Sequence, residues 1–203
     1  LVTALGALQR TGAASATGFW VDNDAKDPER YVVYLTQSGL GLPDESYYRE
    51  PQHAETLAAY RPHVARMLLI GKLAQSLMHG ARVVALETRL AGAHWDVVKD
   101  READLTYNPM TLAALAELAP GFDWAAWVRA LGAPEGALDQ IVVREPDFAV
   151  ELAKAWVEED EGTWGDWLAY HAISARAAYL TDELVEANFD FYGRRLTGAQ
   201  ELR

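Results

Sequence analysis

From Thr163 to Arg195 the apolar positions recur at spacings of three and four. Trp164, Trp167, Leu168, His171, Ala175, Ala178 and Tyr179 share one helical face, and Tyr170, Ile173, Ala177, Leu180 and Leu184 make a second stripe. A helix apolar over most of its circumference packs on several sides. Thr163 with Asp166 fits a helix-start signal, and Gly193 fits a stop because glycine reaches positive φ cheaply. The pattern predicts one rod from Trp164 to Tyr192, roughly 43 Å long at 1.5 Å per residue. The other segments are expected to pack around it.

Elsewhere the periods alternate. Phe19-Trp20-Val21 and Tyr31-Val32-Val33-Tyr34-Leu35 are β-branched and aromatic, which predicts a β-hairpin over 19–36 joined by a polar connection from Asp22 to Glu29. Leu1 to Gln9 reads as the tail of a helix closed near Gly12, and Ser38 to Pro43 as a Gly/Pro loop. From Pro51 onward, 51–203 reads as a helical bundle. Pro62 either starts a new helix or kinks one running from Pro51. Ser76 to about Trp95 is amphipathic. Asn108-Pro109 reads as cap plus first-turn proline, Asp123 and Asp147 as caps of two further helices, and Ile141-Val142-Val143 as a short strand. The fold class is mainly α: a multi-helix domain around a long central helix, with a small β-hairpin near the N-terminus.

Composition narrows function. The formal charge of −12 over 203 residues argues against nucleic acid and against an anionic membrane surface, both of which attract Lys and Arg. The absence of cysteine excludes disulfides, thiolate zinc sites and cysteine nucleophiles. No apolar run is long enough to span a bilayer and no signal peptide is evident, so a cytoplasmic location is the expectation, with a secreted or cell-surface parent as the alternative. The chain starts at Leu1 in what reads as mid-helix and stops at Arg203 just past another, which suggests a piece of a longer protein.

The candidate chemistry is thin. No two of His53, His63, His79, His94 and His171 stand four apart, so H-E-x-x-H is absent. Glu50 and His53 form one isolated E-x-x-H with Pro51 inside it. Asp22-Asn23-Asp24 begins like a calcium loop, but Lys26 stands where an oxygen ligand is needed. His171 and Ser174 share a helical face while Asp166 lies on the far side, so a buried, hydrogen-bonded histidine is the simpler reading. Glu158-Glu159-Asp160-Glu161 reads as a solvated acidic loop. The tryptophans stand at core spacings.

Six segments in order carry a resemblance. YVVYLTQSGLGLPDESYYRE (31–50) resembles the L-G-L-P-x-x-x-Y-Y loop of the neprilysin-type zinc metalloendopeptidases. ALETRLAGAHW (85–95), READLTYNPMTLAAL (101–115), GFDW (121–124), VVREPDF (142–148) and NFDFYGRRLTGAQELR (188–203) follow in that family's order, most like its bacterial oligopeptidases. The resemblance implies a partial N-terminal helical lobe over 1–203, which is non-catalytic, encloses the substrate chamber and limits entry to short peptides. It also implies a C-terminal catalytic lobe of the same polypeptide as partner. Zinc and the reacting groups would belong to that lobe, with no cofactor and no catalytic or metal residue in this chain. Gly41, Pro43, Tyr47, Tyr48, Glu87, Trp167 and Tyr192 would be structural anchors. A free-standing helical peptide- or protein-binding module is the alternative.

Overall fold

In a computed structural model, residues 1–13, 15–73 and 77–201 are described. The elements run α1 (Val2–Arg10), β1 (Thr17–Asp24), β2 (Asp27–Gln37), α2 (Ser46–Arg49), α3 (Ala54–Ile70), α4 (Met78–Ala91), β3 (Asn108–Met110), α5 (Leu112–Leu118), α6 (Trp124–Leu131), β4 (Ile141–Val143), α7 (Pro146–Glu158), α8 (Glu161–Arg176) and α9 (Asp182–Asn188). A π-helical segment, Phe189–Thr197, continues α9. The chain is mainly α with one small sheet. Ser76, at the start of the expected amphipathic segment, lies outside the described residues.

The hairpin forms as expected, with longer strands and a tighter connection: β1 and β2 pair antiparallel from Thr17↔Gln37 to Asp24↔Asp27. Asp24 closes its tip. It accepts from Tyr107 Oη at 2.6 Å and pairs with Arg30. These two groups and the Lys26 N–H hold the carboxyl down to about 2. The sheet is larger than a hairpin, with order β1-β2-β4-β3. β4 joins β2 in parallel through Val33↔Ile141, Tyr34↔Val142 and Leu35↔Val143. From Val32 to Leu35 β2 is buried on both faces, which accounts for its unbroken apolar run. Val33 and Leu35 face the main core, and Val32 and Tyr34 face Val142 and Tyr107.

Six expectations are corrected, three of them about the central rod. Asn108-Pro109 is strand β3, antiparallel to β4, and Thr111 caps α5 through its hydroxyl. Asp147 sits in the first turn of α7, one residue inside Pro146, rather than at its cap. The acidic run is not a free loop. Glu158 ends α7, Glu161 starts α8, and Arg89 reaches Glu158, Glu159 and Glu151.

The largest correction is the central rod. Asp160, not Thr163, caps α8: one carboxylate oxygen accepts the Thr163 N–H and the other the Thr163 hydroxyl. α8 stops at Arg176, and a 3-10 turn (Ala177–Tyr179) follows. Leu180 leaves helical space at φ −101°, ψ −148°. Thr181 then starts α9 with Asp182 and Glu183 in its first turn, where acids favour the helix dipole. Gly193 does not stop the helix. It lies inside the π segment, where a Cβ would fall 2.2 Å from the Phe189 ring, and Gly198 at φ +73° closes it. In place of one rod, α3, α4 and α8 pack on one another, and α9 lies against α3. Pro62 sits inside a continuous α3.

Candidate functional site

The polar centre of the helical core is Glu87 on α4, whose side chain is fully buried. Three polar side chains from three other helices converge on it. Tyr48 Oη of α2 donates at 2.7 Å, Tyr60 Oη of α3 at 3.2 Å, and His171 Nε2 of α8 lies at 2.8 Å. Burial, then the Glu87 charge, pushes the Tyr48 phenol well above its ordinary value. Tyr48 and Tyr60 therefore stay protonated and serve as donors.

The same groups hold the loop 38–43. The Gly41 and Leu42 N–H groups both donate to Tyr48 Oη at 3.1 Å. Tyr192 Oη donates to the Gly41 carbonyl at 2.8 Å, and Trp167 Nε1 to the Gly39 carbonyl at 3.1 Å. His94 Nε2 lies 3.0 Å from the Ser38 carbonyl. Gly41 has no room for a side chain, since a Cβ would sit 1.8 Å from Tyr60 Oη. Of the residues singled out from the sequence, Gly41, Tyr48, Glu87, Trp167 and Tyr192 thus meet in one network. Pro43 lies at the end of the same loop and lines a groove of about 510 Å³. Tyr47 is separate, stacked on His53 at 3.9 Å. His171 and Tyr60 were not among the residues singled out as anchors, although they complete the hub. An E-x-x-x pattern cannot announce a partner on another helix.

Each histidine has a local role. His53 stacks on Tyr47, His79 bonds Asp166 at 2.9 Å, and His94 holds Ser38. His63 is buried against Phe191 at 4.7 Å, and burial lowers its imidazole to about 4. The Glu87–His171 pair looks like the orienting half of a triad. The other half is missing: Ser174 makes no hydrogen bond to the ring, and Asp166 is occupied by His79. Among the described residues, no three His, Asp or Glu side chains cluster to hold a metal ion, and no helix is long and apolar enough to cross a membrane.

The profile of Peptidase family M13 matches residues 1–203. The chain belongs to that family, in its N-terminal region. It is similar to the zinc metalloprotease Zmp1 of Mycobacterium tuberculosis in complex with an inhibitor, at 51% identity and a TM-score of 0.96, covering 100% of this chain and 31% of that one. PepO of Lactobacillus rhamnosis shares the fold at 21% identity, a TM-score of 0.76, 98% of this chain and 32% of its own. Endothelin-converting enzyme 1 of Cavia porcellus is 25% identical over 191 residues, covering 88% of this chain. The chain spans 25% of the length of that curated relative.

Proposed function

We propose that this chain is the non-catalytic helical lobe of a zinc-dependent metalloendopeptidase, walling the substrate chamber and restricting it to short peptides. The catalytic lobe of the same polypeptide carries the zinc and the reacting groups. The observation that carries this reading is the full-length match to the N-terminal region of a zinc peptidase family, together with the 31–32% share of the solved relatives that the chain covers. The inward-facing polar groups support it. They are spent on holding the frame, as a wall requires, and the loop 38–43 is fixed by side chains from three helical elements and the segment after α4. Gly41, Pro43, Tyr48, Glu87, Trp167 and Tyr192 serve as anchors of that wall, and Tyr47 holds the turn that follows it.

The test compares the whole polypeptide with residues 1–203 alone, on peptides of graded length and on an unfolded protein. The whole polypeptide is expected to cleave the short peptides, to spare the long chain and to lose activity to a chelator. The 203-residue chain is expected to be inert and to purify without stoichiometric zinc. Peptide hydrolysis by the short chain, or equal cleavage of long and short substrates by the whole, overturns the proposal.

A further inference from the structure

The segment between α4 and β3 is tied down at both ends and at one point in its middle. The Gln37 side chain clamps Trp95, accepting its N–H at 2.7 Å and donating to its carbonyl at 2.9 Å. At the far end Asn108 Nδ2 donates to the Leu105 carbonyl at 2.7 Å and to the Val143 carbonyl at 3.0 Å. From Asp96 to Leu105 every residue is exposed except Lys99 and Asp100. Lys99 reaches Asp147 at 3.5 Å in a solvent-facing pair, which holds little. The central tie is Asp100: Arg144 Nη2 donates to its carbonyl and to its carboxylate, each at 2.8 Å. Val97, Asp100 and Arg101 line the same groove of about 510 Å³ as Leu42 and Pro43.

Behind Asp100 lies Glu145, whose side chain is fully buried. Its carboxyl accepts the Gln37 N–H at 2.7 Å and the Thr36 hydroxyl at 3.2 Å, lies 3.2 Å from Arg144 Nε, and hydrogen-bonds Asp100. Two carboxyls thus share one guanidinium, and they can bond each other only with a proton between them. Burial, then the bond to Asp100, raises Glu145 to about 7, so it keeps that proton. Leu35, Trp124, Phe148 and Leu152 line the small void beside it and bring no charge. His94 and Glu45 line the groove with Asp100, and burial lowers the His94 imidazole, so it supplies no compensating charge near neutral pH.

We propose that residues 96–105 form a proton-latched strap: the proton shared by Glu145 and Asp100 holds it against the groove, and loss of that proton releases it. Without the proton, two carboxylates compete for Arg144, one of them in a buried site. The closed strap keeps a proton that the open form gives up at an ordinary carboxylate value. The open fraction therefore rises with pH from about 4.5 to about 7 and levels off beyond. The groove is closed in acid and accessible near neutrality.

Hydrogen exchange of the whole polypeptide tests this, read by mass spectrometry on peptides spanning 96–106 and corrected for the intrinsic pH dependence of exchange. Peptides from α4 serve as the internal reference. In the wild type, protection of 96–106 is expected to fall at least about tenfold between pH 5 and pH 7.5 while α4 holds. Glu145→Gln keeps an uncharged donor toward Asp100 at every pH and should leave the strap protected throughout. Asp100→Ala removes the latch and should leave the strap exchanging fast already at pH 5. Wild-type protection that does not change with pH, the same fall in Glu145→Gln, full protection in Asp100→Ala at pH 5, or loss of protection in α4 together with the strap overturns the proposal.

Discussion

Glu87 lies at the meeting point of two tyrosine hydroxyls and the His171 imidazole. Its burial would be costly alone, and the convergence of Tyr48, Tyr60 and His171 is what makes it tolerable. Glu87→Ala leaves two phenols and an imidazole without an acceptor in a dry core. The expected loss is about 3–5 kcal/mol, read from the urea midpoint. Because Tyr48 also accepts the Gly41 and Leu42 N–H groups, those two amides should lose hydrogen-exchange protection together with Glu87. A loss below about 1 kcal/mol with both amides still protected would show that packing alone holds the loop.

At the scale of elements, what could be read from the sequence follows the range of the interactions that set each element. The hairpin, the Asp123 cap of α6 and the helical stretches were visible because their signals are local. The single rod does not form although Ala177 and Leu184 keep helical spacing, because Leu180 and Thr181 between them leave helical space. β3 was misread because its partner, Val143 opposite Asn108, is remote in sequence. The Glu87 hub was half visible. The Glu87 and Tyr48 motifs stand out, but Tyr60 and His171, which also bond Glu87, come from other helices. Glycines in helices show the same dependence on neighbours. In α4 a Cβ on Gly80 would lie 2.6 Å from Ala65 N and 2.7 Å from Ala65 Cβ, so α3 and α4 touch only because that side chain is missing. In α8 a Cβ on Gly165 meets nothing within 4 Å. Gly80→Ala should cost about 1–3 kcal/mol by overpacking, whereas Gly165→Ala should gain about 0.5–1 kcal/mol from helix propensity. Denaturant midpoints of the two variants should move in opposite directions.

For the molecule as a whole, two buried groups set opposed responses to pH. Glu145 is held by the Gln37 N–H at 2.7 Å and lies 3.2 Å from Arg144. Burial, then its hydrogen bond to Asp100, nevertheless raises its carboxyl from 4.5 to about 7. The unfolded chain releases that proton above about pH 4.5 while the fold keeps it, so stability falls as pH rises from 4.5 to 7. His63 works the other way. Burial first, then Arg66, lowers it from 6.5 to about 4. The unfolded chain takes up a proton below pH 6.5 that the fold refuses, so stability falls as pH drops from 6.5 to 4. His94, also lowered by burial, adds to that side. Each response amounts to about 3 kcal/mol at most, and they offset one another over the shared window. The wild type should therefore show a shallow stability profile between pH 4.5 and 6.5. Glu145→Gln removes one response and should leave a fold that weakens steadily toward acid. His63→Phe, which keeps the stack on Phe191, should leave one that weakens toward neutral pH. Thermal or urea unfolding across that range, run on both variants, decides the matter. Parallel profiles for the two would mean that neither group keeps its shifted proton affinity in the folded chain.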